Sequence, residues 1–296
     1  MLSPRLKGTL LIFSGAGLWG TLGLFGRTLF NSGLTALDVV TARVVIAWLC
    51  FTTLGILSQQ ICLRIQNYRD LILFALYGAI SVALYNIFYF EAIRQTGISV
   101  AVALLYTSPA WAAWLAVLFL GERLSLIFLA TIVASVSGVT LAVGAVSDQW
   151  LSLPVTGLLC GLGAGFSYAA YSIFGKKALS IYQPITTLFY GFGFGGVLLL
   201  SLFSIQGGWE RLLGIDLKSW LLLLLLGILP TFFAYLVYTV GLHYVSASLA
   251  ALLATIEPIV AITIALVWVG EPSSQLQVLG ITLVIFSNLI ASLTDF

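Results

Sequence analysis

Long apolar runs alternate with short polar punctuation along the whole chain. A helix needs roughly 20 apolar residues to cross ~30 Å of hydrocarbon. On that measure the runs predict helices at residues 8–29, 36–57, 71–93, 99–120, 125–144, 155–174, 185–204, 220–242, 247–269 and 274–293. They are too long and too weakly alternating for barrel strands, and lipid demands that backbone hydrogen bonds close within the segment. The expected fold class is therefore all-α integral membrane. The first run follows Arg5 and Lys7 but stays apolar for about twenty residues, longer than a signal-peptide core, and reads as helix 1.

Composition agrees with the pattern. Of 296 residues, 61% are hydrophobic and 7% charged, against about 25% charged in a soluble domain, so the chain cannot coat a water-facing surface. Ten spans leave only short connections and no room for a soluble domain. A net charge of +2 excludes a general nucleic-acid footprint. Cys50, Cys62 and Cys160 are scattered and say little about redox compartment.

Loop charge orients the spans. The amino-terminal side carries Arg5, Lys7, Arg64, Arg69, Arg123, Lys176 and Lys177, and the opposite side Arg27, Arg94, Arg211 and Lys218. The positive-inside rule then places both termini in the cytoplasm.

Sliding the chain against itself by 149 residues, without gaps, aligns several helices at once. Helix 1 meets helix 6 through Gly8, Leu10, Phe25 and Gly26 on Gly157, Leu159, Phe174 and Gly175, with Arg27 on Lys176. Helix 3 meets helix 8 through Leu73, Leu76, Gly78 and Tyr89 on Leu222, Leu225, Gly227 and Tyr238. Helix 4 meets helix 9 most closely: Pro109 falls on Pro258, and Gly121-Glu122 on Gly270-Glu271. Helices 2 and 7 match poorly. The chain reads as a duplication, residues 1–146 and 147–296, and five spans per copy force the second copy to enter the membrane inverted. Inverted repeats are the signature of transporters that alternate access around a site at the repeat interface.

The stretches YVSASLAALLATIEPIVAITIALVWVGEPSS (residues 244–274) and TGISVAVALLYTSPAWAAWLAVLFLGERLS (residues 96–125) resemble the two EamA repeats of the drug/metabolite transporter superfamily. A small-residue helix start leads to a mid-helix proline, and the helix ends in Gly-Glu. The resemblance implies ten transmembrane helices in two inverted five-helix repeats around a central cavity, with the fifth helix of each repeat outside. It also implies movement of small metabolites, often export of amino acids or related solutes, across the bacterial inner membrane. One departure is that Ser108 precedes the first proline where Glu257 precedes the second, so the repeats are not equivalent.

Glu257 lies about ten residues into helix 9, near the bilayer midplane, where an ionisable group needs a cavity or a partner. Pro258 has no amide hydrogen and is expected to free the carbonyl of Ala254. Two readings stand: Glu257 binds a substrate ammonium or a proton, or it hydrogen-bonds a neighbouring helix and fixes packing. Arg43, in helix 2, could attract a substrate carboxylate, balance Glu257, or snorkel. Glu91 and Arg94 sit three apart and are expected to pair locally. Tyr77, Ser81, Tyr85 and Tyr89 recur every four residues on helix 3, and Thr231, Tyr235, Tyr238 and Thr239 form the matching patch on helix 8. Tyrosine hydroxyls in hydrocarbon need partners, so such faces suit a wet cavity, although Tyr77 and Tyr89 also fit interfacial belts. Trp19, Tyr85, Asn86, Tyr106, Tyr168, Tyr235 and Tyr238 are read as cavity lining, with packing as the alternative, and Pro109 and Pro258 as helix breaks. Such a lining suits an amphipathic or aromatic solute.

GAGLWG from Gly15 and GFGFGG from Gly191 fit G-x-G-x-x-G, but neither follows a strand in a βαβ unit. Their smallness permits close helix contact, and Gly161, Gly163 and Gly165 are expected to let helix 6 bend. His243 is the only histidine, which excludes multi-histidine metal sites. The leading expectation is a secondary transporter with no cofactor, no metal and no enzymatic activity, monomeric in the bilayer and with protons as a candidate coupling ion. A passive facilitator or pore and a membrane-embedded enzyme are the alternatives.

Overall fold

The computed structural model describes residues 3–57, 63–145, 153–264, 267 and 274–293, leaving aside the side chains at 26 and 27. The described residues form helices only. Ten are membrane-crossing or nearly so: α1 Pro4–Asn31, α2 Ala36–Leu57, α3 Asp70–Thr96, α4 Ile98–Leu120, α5 Leu126–Ala142, α6 Val155–Leu179, α7 Pro184–Ile205, α8 Leu217–Tyr244, α9 Ala247–Ile264 and α10 Gln275–Leu293. The expected helix end at Gly270-Glu271 lies outside the described residues, as does Cys62.

Several helices outrun the apolar pattern. α6 continues through Lys176 and Lys177 because the Lys176 ammonium finds backbone acceptors rather than water: Leu242 O at 2.9 Å, His243 O at 3.3 Å and Val245 O at 2.6 Å. Helix starts carry local caps. Ser125 accepts from Phe128 N–H at 3.1 Å at the start of α5, and Asp216 accepts from Ser219 N–H at 3.0 Å before α8. The bonds from Ser219 hold the Asp216 carboxyl below its usual range. Thr35 and Asp38 form a reciprocal capping box at α2, and Asp38 also takes a two-pronged bond from Arg211 at 2.6 and 2.8 Å. Gly97, at φ 83°, joins α3 to α4 by a single residue, a conformation a side chain would strain.

The repeats interlock with inverted symmetry. α1 packs on α8 and, in mirror fashion, α6 on α3; α2 packs on α7, and α5 on α10. Small residues set these distances: a Cβ on Gly280 would sit 2.5 Å from Gly138 O, and one on Gly15 would sit 2.8 Å from Ala234 O.

Three helices unwind in mid-span. α1 breaks at Gly20-Thr21, α4 at Tyr106-Thr107 and α9 at Ala254-Thr255. Each break contains a threonine whose hydroxyl donates to the leucine carbonyl three residues earlier, Thr21 to Leu18, Thr107 to Leu104 and Thr255 to Leu252, each at 2.7 Å. The same carbonyls also accept the threonine N–H groups, at 3.1, 3.2 and 3.1 Å, so each break closes on a tightened turn that leaves no bare acceptor in hydrocarbon. Pro109 and Pro258 do not themselves sit at the breaks; they lie in the first turn of the half-helix that follows, where a missing N–H is harmless. The Ala254 carbonyl expected to be free accepts from Glu257 N–H at 3.0 Å. α6, expected to bend at its glycines, runs unbroken; Gly161 and Gly165 instead let Leu104 and the α4 break approach.

α3 and α8 carry π-helical segments at matching places in the two repeats, Tyr77–Leu84 and Ile228–Phe233. In the second, Pro230 removes one donor, and Thr231 Oγ1 supplies a bond to Leu226 O at 2.8 Å.

At the α9 break Thr255 Oγ1 also accepts from Ser135 Oγ of α5 at 2.9 Å and Asn288 Nδ2 of α10 at 3.2 Å. The outer helices are thereby tied to the core. Thr255→Val should lower the thermal midpoint in detergent, because two buried donors lose their acceptor at about 1–3 kcal/mol; Thr255→Ser should restore it. Gly280→Ala should destabilise by about 1–3 kcal/mol through overpacking, whereas Gly17→Ala, with no atom near its Cβ, should be neutral in the same melts.

Candidate functional site

The backbone irregularities converge. Trp19 immediately precedes the α1 break, Tyr106 lies in the α4 break, and Glu257 stands two residues beyond the α9 break, in the first turn of the second half-helix. Tyr85 and Asn86 follow the π segment of α3, and Tyr235 and Tyr238 follow that of α8. A Cβ on Gly20 would lie 2.7 Å from Glu257 O, so the α1 and α9 breaks touch directly and leave room for no side chain between them.

Around this point all eight residues read from sequence as binding residues come together. The Trp19 ring centroid lies 4.7 Å from Tyr235, 4.9 Å from Tyr238 and 6.2 Å from Tyr168. Tyr168 in turn lies 5.5 Å from Tyr85 and 6.3 Å from Tyr106. Its hydroxyl donates to Glu257 Oε2 at 3.0 Å, and Tyr106 stands beside the same carboxylate. Glu257, Tyr168 and Tyr235 are half-buried, whereas Trp19, Tyr85, Asn86, Tyr106 and Tyr238 are buried. The carboxylate thus sits in an aromatic enclosure at the open end of a half-helix, where the positive end of the backbone dipole favours it.

Arg43 does not snorkel. It is 7% exposed, donates from Nη2 to Asn86 Oδ1 at 3.4 Å, and lies near enough to Glu257 and Tyr235 to act on both. Asn86 is anchored by its own amide on Val82 O at 2.6 Å. Two buried donors here have no protein acceptor, Arg43 Nη1 and Trp19 Nε1. Orphaned donors and a carboxylate in one group of aromatic side chains make a site with both signs of charge and aromatic walls.

Other sequence readings resolve differently. Tyr77 does not face lipid; it is fully buried, its ring against Tyr171 at 5.1 Å and Gly191. Glu91 and Arg94 pair locally, as expected, at 2.9 Å and 2.5 Å. The break threonines and Thr255's partners carry no hydropathy signal, although a Leu-x-x-Thr spacing recurs at all three breaks and stands in the sequence. Among the described residues no cluster of metal-ligating side chains forms.

Comparison with known proteins follows the same outline. A transporter of Archaeoglobus fulgidus is 29% identical over 96% of each chain, and the YwfM transporter of Bacillus subtilis is 27% identical over 96% of this chain and 93% of its own. The inner membrane transporter YicL of Salmonella typhimurium is 25% identical over 97% and 95%. All three carry names that mark them as uncharacterized. A solved crystal structure superposes with a TM-score of 0.77 over 97% of both chains at 18% identity, which shows the shared fold. Residues 6–144 and 155–293 each match the EamA-like transporter family, one match per inverted repeat. The chain is a multi-pass membrane transporter of that family.

Proposed function

We propose that the protein is a secondary transporter that carries small organic metabolites, amino acids or related amphipathic and aromatic solutes, by alternating access, with export from the bacterial cytoplasm as its direction. The observation that carries this reading is the pair of unpartnered buried donors, Arg43 Nη1 and Trp19 Nε1, in the group of side chains that also holds the Glu257 carboxylate through Tyr168. A solute with a carboxylate satisfies the Arg43 donor, and its ammonium meets Glu257. Aromatic faces on Trp19, Tyr168 and Tyr235 hold the ammonium and any apolar side chain.

Three half-helix breaks at the centre of inverted repeats favour alternating access over a passive pore, because such breaks build binding sites at the repeat interface. Glu257 also supplies a place for a proton, which a solute ammonium would displace. The loop charges favour a cytoplasmic location for both termini. One chain encloses the site's side chains without help from a second copy, which favours a functional monomer.

Glu257→Gln should lower exchange of the best amino-acid solute in proteoliposome counterflow by at least about tenfold, on the scale of one lost charge-assisted bond. Arg43→Gln should raise KM by a similar factor for solutes bearing a carboxylate and leave the corresponding amines unchanged. Counterflow of a panel with and without a pH gradient reads both effects. Unaltered kinetics and pH response in Glu257→Gln would sink its role in binding and coupling.

A further inference from the structure

Inverted symmetry makes a difference between the two membrane sides meaningful. On the amino-terminal side, α6 and α8 are joined by buried polar pairs. Tyr171 Oη lies 2.9 Å from Thr239 Oγ1, and Ser172 Oγ lies 2.9 Å from Tyr238 Oη. One turn further out Lys176 donates to three carbonyls at the end of α8. Glu122, at the end of α4, accepts from Ala247 N–H at 2.7 Å and from the Ser248 hydroxyl at the start of α9. Lys7 donates to Tyr244 Oη at 3.1 Å. The turn between α8 and α9 is therefore held from α1, from the end of α4 and from α6.

The 149-residue offset maps Tyr171, Ser172, Tyr238 and Thr239 onto Leu22, Gly23, Tyr89 and Phe90, on α1 and α3 at the opposite side. There the equivalents stand apart. Among the described residues no hydrogen bond or ring pair joins α1 to α3, and α1 does not pack on α3 as α6 packs on α8. Gly23 is exposed, and a Cβ there would meet nothing within 4 Å, whereas Ser172 is 2% exposed.

The seam also has the wrong chemistry for simple packing. Tyr171, Ser172, Tyr238 and Thr239 are all at most 4% exposed, in a region where leucine would pack without any hydrogen-bond requirement. The seam starts at Tyr235 and Tyr238, which face the site, and ends at Lys176. Buried polar side chains in a membrane protein either tie helices, as at Thr255, or line water-filled routes, and this set runs from the site to the amino-terminal end. We infer that the α6–α8 seam is the amino-terminal-side half of the translocation path in its closed state. Its hydroxyls line the path when it parts, and Lys176 is the latch that holds it shut. The inference rests on the chain's membership in a transporter family and is independent of which solute is carried.

The test uses the full chain with Cys50, Cys62 and Cys160 replaced by alanine, in membrane vesicles of known orientation. Ser172→Cys is probed with a membrane-impermeant maleimide from the amino-terminal side, and Gly23→Cys from the other. Adding Lys176→Gln should raise labelling at position 172 about tenfold, the population change expected from losing charge-assisted bonds. Labelling at position 23 should hold or fall, because the two sides open in alternation. Equal labelling of position 172 with and without Lys176→Gln would overturn the latch. A parallel rise at both positions would also overturn it, since that marks general loosening of the bundle. Tyr171→Phe, which deletes one seam bond and keeps the ring, repeats the test if Lys176→Gln does not accumulate.

Discussion

Backbone polar groups in hydrocarbon must find partners, and this single constraint explains where the protein departs from regular helix. Three spans unwind, and each does so where a threonine gives both its N–H and its hydroxyl to the carbonyl of the leucine three residues before it. A carbonyl left bare by a broken helix would cost several kcal/mol in hydrocarbon, and the two donors of each threonine prevent that. The breaks are thus local in their chemistry. Their consequence is long-range, because unwinding turns Trp19, Tyr106 and Glu257 toward one point and allows Gly20 to touch the backbone of α9. The π segments of α3 and α8 do the same for Tyr85, Asn86, Tyr235 and Tyr238, by shifting the helical register just before them.

Duplication supplied the framework, and divergence supplied the electrostatics. Both copies retain a proline in the first turn of a half-helix, so both can begin a helix in mid-membrane. Only the second has a carboxylate before it, and the first has Ser108, whose buried hydroxyl finds no partner. α1 is broken while its counterpart α6 is continuous, which lets α1 make the close approach to Glu257. A symmetric pair of glutamates would place two like charges at one low-dielectric site and drive one of them neutral. One carboxylate set against one arginine avoids that repulsion.

Much of this was legible in the sequence, for identifiable reasons. Span number and position follow from hydropathy, since lipid acts on every exposed residue alike. The repeat and its inversion follow from a constant offset and an odd span count. The site residues stood out because tyrosine, asparagine, arginine and glutamate are unfavourable in hydrocarbon without a partner, so rarity marked them. What stayed hidden has the opposite character. A π segment leaves no hydropathy signal, because lipid and a helix interface are both apolar. The prolines pointed at the right helices but the wrong residues, since proline is tolerated best just after a break. Lys176 suggested a helix end because an unpaired lysine needs water, and only the tertiary structure reveals the three carbonyls that replace it.

A carrier must hold two arrangements of the same chain within a few kcal/mol of one another, or one of them is never visited. An apolar seam between α6 and α8 would resist that, since parting it would expose hydrocarbon-like surface to water in the open path at ~25 cal/mol per Å². Hydroxyl pairs behave differently: when they separate, water takes each partner, and a neutral bond contributes only about 0.5–1.5 kcal/mol net. In the closed path inferred above, Tyr171 with Thr239 and Ser172 with Tyr238 therefore give register and closure without making closure permanent. The polar residues buried in this half of the bundle are then what keeps the fold reversible, and the apolar contacts of α5 on α10, outside the path, are free to be tight because nothing requires them to open.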